Sequence, residues 1–431
     1  MRIAEQLGLH RPELRAWASY DWGISAFQVA VTTALFPIYW SKVIAADLGP
    51  SAATGLLGYT AAGASILVAI LAPVLGTIAD ERGSKKRFLA VFLMLGIAAT
   101  AGLWFVGAGD VLLGAIMYTL ATVGATGSFV FYEALLPHVA RAGEIDRVST
   151  AGYALGYIGG GILLVLQLMV IQGVIPLGIT DTGLLTRIAF LMTAVWWAIF
   201  SVPLFRGVSE PAAIGGRDTP IRVGPIARRL AGTFRDLRGY PQALMLLAAF
   251  FVYNDGIQTI IRFAVILGDE RQIPQQTLIA AIVLVQFVGV PCAFAFGWLA
   301  GIIGAKRSVL IGIAVYAGIA VVARNVSTGG QFLMLAGLVA LVQGGTQGLS
   351  RSLFARLTPA SRSGEFFGLY SVFEKFSGVF GPLAFPLSIA LTGSARNGVL
   401  ILIAFFVLGF VLLLRVDVAS GERQIALETR D

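Results

Sequence analysis

The chain has 431 residues, 57% of them hydrophobic and 13% charged, with a formal net charge of +8. Soluble domains average about 45–50% apolar and about 25% charged residues, so this composition excludes a water-soluble globular fold and calls for many membrane crossings. The single cysteine, Cys292, excludes a disulfide framework, and the two histidines, His10 and His138, fall far apart in predicted loops, which argues against a histidine-based metal site.

A membrane-spanning helix needs about 20 mainly apolar residues. The chain opens on a polar stretch with Arg2, Glu5, His10, Arg11, Glu13 and Arg15, which does not read as a cleavable signal peptide. Six apolar stretches follow, at 17–43, 53–79, 88–107, 111–136, 149–172 and 184–205. A polar linker over 207–239 then carries Pro211, Gly215, Gly216, Pro220 and Pro225. Within it Ile226, Leu230, Phe234 and Leu237 recur at helical spacing opposite Arg228, Arg229, Arg235 and Arg238, the pattern of a basic amphipathic helix on an anionic membrane surface or of a solvated connector. Six more stretches complete the chain, at 241–267, 276–300, 308–325, 331–355, 365–392 and 397–415.

The expected fold class is therefore an all-α membrane protein of twelve transmembrane helices in two pseudo-symmetric six-helix bundles. The expected divisions are 1–206, the cytoplasmic linker 207–239, and 240–431 with a short cytoplasmic tail. The basic residues crowd alternate loops (Arg82, Lys85, Lys86, Arg87; Arg141, Arg147; the linker; Lys306, Arg307; Arg356, Arg362), which places those loops and both termini in the cytoplasm. Trp17, Tyr39, Trp40, Trp104 and Trp298 fall near span ends, where an interfacial aromatic belt is expected.

The charge-bearing turn after the second span, Gly76-Thr77-Ile78-Ala79-Asp80-Glu81-Arg82-Gly83-Ser84-Lys85-Lys86-Arg87, has a degraded copy about 221 residues later at Gly297–Arg307. Gly124, Gly127, Pro137, Gly143 and Glu144 likewise match Gly345, Gly348, Pro359, Gly364 and Glu365. Parallel repeats joined by a linker are a known transporter design.

Charge within the bilayer is costly and marks function. The third, sixth, ninth and twelfth spans carry essentially none in their interiors, which predicts an outer jacket. The others carry Asp21, Gln28, Glu133, Gln167, Asn254, Asp255, Gln258, Arg262, Gln286, Gln343, Gln347, Arg351, Glu374 and Lys375, as if around a wet cleft. Depth favours Asp255, Glu374 and Lys375, near midplane, over Asp21, Glu133 and Arg351, nearer the cytoplasmic ends; the plain alternatives are a structural salt bridge of Glu374 or Asp255 with a basic partner and, for Glu133, a snorkelling side chain. Glycines at 152, 156, 159, 160 and 161, with Gly344, Gly345 and Gly348, suit close helix approach. Phe36-Pro37, Gly381-Pro382 and Pro386 predict kinks.

Gly76-x-Ile78-Ala79-Asp80-x-x-Gly83-x-Lys85 resembles the helix 2–3 signature of the major facilitator superfamily. The family pattern places arginine directly after the aspartate and a basic residue after the second glycine, where this chain has Glu81 and Ser84, with Arg82 one place on. The resemblance implies that Gly76, Asp80, Arg82, Gly83, Lys85 and Lys86 form a cytoplasmic gate latched in the outward-open state. Gly301 stands where the second copy would carry the aspartate, so that half is expected to lack the charge lock. Tyr20-Asp21-Trp22, Ser25-Ala26-Phe27, Tyr253-Asn254-Asp255-Gly256 and the glycine run from Gly152 to Gly161 are similar to the vacuolar amino-acid effluxer-like branch, which implies amino-acid export.

The expected function is a secondary active transporter of a small polar solute, monomeric, in a bacterial inner membrane, with protons as candidate coupling ions and no cofactor or nucleic-acid partner. Asp255, Glu374 and Lys375, with Asn254, Gln258, Gln343, Gln347, Asp21, Glu133 and Arg351, would bind solute or proton. The rivals are a scaffold or sensor on a transporter fold, and an efflux permease for drugs or metabolites from another branch. A membrane-embedded enzyme finds no Walker loop, paired histidines or large soluble domain to support it.

Overall fold

The computed structural model describes residues 2–141, 143–213, 232, 235, 237–270, 273–377 and 395–428, with side chains left aside at 2–3, 50–51, 262–270 and 395–400. The linker residues Ile226, Arg228, Arg229, Leu230 and Phe234, the side chain of Arg262, and the Gly381, Pro382 and Pro386 kinks lie outside that description. Among the described residues the chain is helical with no strand.

Among the described residues ten helices are long and apolar enough to cross a membrane: α1 (Pro12–Ile44), α2 (Ala52–Arg82), α3 (Lys85–Phe105), α4 (Val111–Val139), α5 (Ile145–Ile171), α6 (Thr182–Gly207), α7 (Pro241–Ile261, continuing to Glu270), α8 (Gln275–Ile303), α9 (Ala305–Ala323) and α10 (Gly329–Arg356). The chain continues in α11 (Ser363–Phe376), α12 (Ala395–Leu414) and a tail helix, α13 (Val418–Glu428), with a bend of 52° between the last two. The count is consistent with the twelve-helix bundle expected from sequence.

The charge-poor helices sit outermost. Helices α3 and α6 pack on each other and on α4 and α1, and α9 and α12 pack on each other and on α10 and α7. Their free faces expose Val91, Met94, Val195, Ile199, Ile311, Val321, Val407 and Val411. Contact between the first six spans and the later ones runs mainly through α5 against α8 and α10, and through α2 and α4 against α11.

Helix α1 is not a regular helix. Phe27–Ala34 and Trp40–Ile44 wind as π-helix on either side of Pro37. Proline removes a backbone donor, and the turns before it widen to rehouse the freed carbonyls. Thr33 helps by donating its hydroxyl to the carbonyl of Gln28 at 2.9 Å.

Three of the expected belt aromatics are interior residues instead. Trp17, Tyr39 and Trp40 are buried, and their polar atoms donate to the carbonyls of Tyr132 (3.0 Å), Val106 (2.8 Å) and Ala53 (2.8 Å). A buried indole or phenol usually finds such a partner. Trp298 is 56% exposed. His138, expected in a loop, lies in the last turn of α4.

The two copies of the turn build the same corner with one residue of difference. Gly83 closes α2 in the left-handed region (φ +56°), where a Cβ would also strike the backbone of Pro211 and Ala213, and Ser84 follows before α3. Gly304 (φ +89°) alone joins α8 to α9. Lys86 and Lys306 then each occupy the second position of the new helix. Lys86 Nζ donates to the carbonyls of Phe205 (3.0 Å) and Val208 (2.5 Å), and Lys306 Nζ to those of Leu414 (2.8 Å) and Val416 (2.7 Å). Each lysine thereby serves the orphan carbonyls at the end of the sixth span of its group. Replacing either with alanine is expected to cost about 1 kcal/mol, discounted for partial exposure. A lowered melting midpoint in detergent would show it; an unchanged midpoint in both variants would contradict the assignment.

Candidate functional site

The site is built around Arg351 on α10, whose side chain is wholly buried. Its Nε donates to Ser149 Oγ at 2.9 Å and its Nη2 to the Ser149 carbonyl at 2.7 Å, both on α5. Ser149 Oγ passes its own proton back to the carbonyl of Gly348 at 2.6 Å, so α5 and α10 are stitched in both directions. Among the described residues Nη1 has no hydrogen-bond partner; it lies 3.7 Å from both Asp21 Oδ2 on α1 and Glu133 Oε1 on α4. The guanidinium is also packed over Tyr153 at 4.6 Å, Trp17 at 5.2 Å and Tyr132 at 5.7 Å. One cation from the later spans thus meets three helices of the first six, α1, α4 and α5.

The glycines of α5 make room for this arrangement. A Cβ at Gly152 would sit 3.0 Å from Asp21 Oδ2 and 3.1 Å from Arg351 Nη2, and one at Gly156 would collide with Ser25 Oγ and lie 2.9 Å from Asp21 Oδ1. Asp21 is completed by Ser25 Oγ and Tyr132 Oη, each donating at 3.2 Å. Further out on the same seam, Tyr157 fills a notch formed by Gly289 and Gly344.

Glu374 and Lys375 on α11 lie 3.9 Å apart, with 20% and 30% of their side chains exposed. They are within electrostatic reach of Glu133, which also feels Arg351 and Asp21. Asp21, Glu133, Arg351, Glu374 and Lys375 therefore form one charged cluster, buried on the α10 side and half-open on the α11 side.

Of the remaining expected residues, Asn254 and Gln347 belong to a second, neutral group. Gln347 donates to Asn254 Oδ1 at 2.7 Å, and Asn254 in turn donates to Ser377 Oγ, linking α10, α7 and α11. Asp255 is buried and engaged, while Gln258 and Gln343 are half-buried. The midplane trio inferred from depth is thus divided: Glu374 and Lys375 join the Arg351 cluster, and Asp255 follows Asn254 on α7.

The residues expected to form the gate lie beyond Arg351. Asp80 is fully buried and accepts from the backbone N–H groups of Gly364 (3.0 Å) and Glu365 (2.7 Å) in the first turn of α11. Lys85 Nζ closes on Asp80 Oδ1 at 2.6 Å. The carboxylate caps a helix of the opposite group, where amide donors and helix dipole favour negative charge. Gly76 lies against the Gly364 carbonyl so closely that a Cβ has no room. Arg82 lies at the corner of the gate, half-buried. Lys86, included in the gate from the motif, holds the end of α6 instead.

A lysine–aspartate clasp on the start of α11, beneath a buried charge cluster shared between two groups of spans, defines a membrane transporter of the major facilitator type. The chain belongs to the family described as "Vacuole effluxer Atg22 like", whose model matches residues 49–145 and 140–426. It is 37% identical over 404 residues to the MFS-type transporter YxiO of Bacillus subtilis, covering 92% of this chain and 93% of that one. It is 27% identical over 329 residues to autophagy-related protein 22 of Yarrowia lipolytica, covering 66% of this chain and 52% of that protein, so it spans about half the length of that fungal relative. The fold is shared with FucP, a major facilitator transporter solved in the outward conformation (TM-score 0.68, 10% identity, 95% of this chain and 99% of that one).

Proposed function

We propose that this chain is a secondary active transporter that moves a small zwitterionic solute, an amino acid, by alternating access. The observation that carries this reading is the cluster of three carboxylates and two cations between the two groups of spans, with Glu374 and Lys375 as its accessible members. A carboxylate and an ammonium 3.9 Å apart offer opposite charges to a solute's own ammonium and carboxylate. The surplus carboxylate gives a coupling proton a place to bind. The family description speaks of an effluxer, which favours export, and the basic loops favour an inner membrane with both termini in the cytoplasm. Residues 1–206 and 240–431 would be the two rocking bodies.

The test is flux of an amino-acid panel in proteoliposomes at two pH values. Glu374→Gln and Lys375→Met are each expected to lower kcat/KM for the transported solute about tenfold or more, the worth of a charge-assisted contact of about 1.5–3 kcal/mol. Both side chains are partly exposed, so the melting midpoint should change little. Unaltered flux in both variants would remove this pair from the solute site.

A further inference from the structure

The second copy of the gate motif has lost its acid: Gly301 stands in the place of Asp80. The guanidinium of Arg147 lies only 3.0 Å from where a Cβ at Gly301 would be, so a base is present at that corner without the motif's carboxylate. The next base along the same seam, Arg356 at the end of α10, is held differently. Its Nη1 donates to Asp146 Oδ2 at 2.8 Å, at the start of α5, and its Nε donates to Glu422 Oε1 at 2.5 Å, on the tail helix α13. Asp146 also accepts from Ser352 Oγ at 2.6 Å.

The tail helix is fastened at points that do not involve Arg356. Gln424 donates to the Gly239 carbonyl at 2.6 Å, Tyr240 Oη donates to Glu428 Oε2 at 2.6 Å, and the Asp417 N–H donates to Gln242 Oε1 at 2.6 Å. Gly421 is pressed against Leu357 and Gln242. Glu422 therefore arrives at Arg356 on a helix docked to the starts of α7 and the end of α10, all on the same group of spans. Asp146 belongs to the other group. A single guanidinium is shared between an anchor on its own side and a carboxylate across the seam.

We propose that the tail helix is a working part of the cytoplasmic gate: Glu422 orients Arg356 so that it grips Asp146, supplying from outside the twelve spans the acidic charge that the second motif copy lacks. Glu422 is a positioning residue, because it acts through Arg356 and does not itself cross the seam. The Glu422–Arg356 pair borders a cavity of about 600 Å³, also lined by Lys306, Arg307 and Arg415, which leaves it open to screening by salt. Loss of Glu422 leaves Arg356 held by Asp146 alone and free to change rotamer, and the α5–α10 seam loosens although no residue of the seam has changed. The inference rests on the alternating-access reading above.

Hydrogen–deuterium exchange on the full-length protein in nanodiscs tests it, with wild type, Glu422→Gln, Asp146→Asn and the double variant. Glu422→Gln is expected to speed exchange on the order of threefold or more at the start of α5 and at Gly364–Glu365, the amides under the Asp80 clasp, as coupled opening requires. In the double variant it should add nothing to Asp146→Asn. Tyr240→Phe, which releases the far end of α13, should speed exchange within α13 alone. Faster exchange confined to α13 in Glu422→Gln, full additivity in the double variant, or a seam as loose in Tyr240→Phe would each overturn the proposal. Because exchange is read without solute, a failure of transport in these samples would count against the transport reading and leave this result standing.

Discussion

Replacing Arg351 with methionine is expected to produce the largest loss in both stability and transport. The substitution leaves Asp21 and Glu133, 3% and 2% exposed, without the cation that lies between them. Breaking a buried pair from one side costs about 3–5 kcal/mol, against a total stability of about 5–15 kcal/mol for a folded domain. It also unstitches Ser149 and removes the guanidinium from its aromatic box. Arg351→Lys keeps the charge but cannot reproduce the paired contacts to Ser149 or the flat packing over Tyr153, so it is expected to fold less stably and transport poorly. The informative variant combines Asp21→Asn, Glu133→Gln and Arg351→Met. With no charge left unpaired it should regain most of the lost melting temperature, while flux stays at background. Recovery of flux in that triple variant would mean the cluster is a structural salt bridge and no part of transport.

The second large effect is expected from Gly76→Ala. A methyl group there has no space against the carbonyl of Gly364, and a Cβ at Gly368 would fall 2.7 Å from Pro73 Cα. Helices α2 and α11 must separate, and Asp80 then loses the two N–H groups it caps. Overpacking of this kind costs about 1–3 kcal/mol, charged specifically to the state in which the seam is closed. The ratio of open to closed cytoplasmic gates should rise about tenfold or more, since 1.4 kcal/mol is a factor of ten. The labelling rate of a cysteine at Ser363, in a background with Cys292→Ser, by a maleimide applied to the cytoplasmic face reports this directly. Ser363 is 1% exposed in the closed seam. Labelling no faster than in the Gly76 parent would contradict the account.

Much of this architecture is legible in the sequence because its causes are local. Apolar length marks the spans, absence of charge marks the outer helices, and the Gly76–Arg87 motif announces the gate together with the residue, Asp80, that carries it. Residues whose role depends on rotation about a helix or on a partner far along the chain are harder. Arg351 ranked below Glu374 and Lys375 because depth was the only available coordinate. In the folded chain the seam is closed at this end, and a position near the end of α10 is interior. Trp17, Tyr39 and Trp40 looked like belt residues for the same reason: nearness to a span end says nothing about which way an indole faces. Lys86 was grouped with Lys85 by adjacency, yet a helix turns about 100° between neighbours, which sends one lysine to Asp80 and the other to the end of α6. Gly152 and Gly156 were visible as packing glycines, but that they clear space for Asp21 and Arg351 required the fold.

The two groups of spans are shut at the end that holds Arg351 and are expected to part there when solute occupies the cluster. Distances between spin labels at Arg141, on the α4–α5 loop, and Arg307, at the start of α9, measure that motion on the intact protein with Cys292→Ser. Both side chains are exposed, one on each group of spans. One short distance is expected without solute, with a second, longer population growing as a transported amino acid is added. A single unchanged distance at every solute concentration and pH at which the same preparation transports would contradict it.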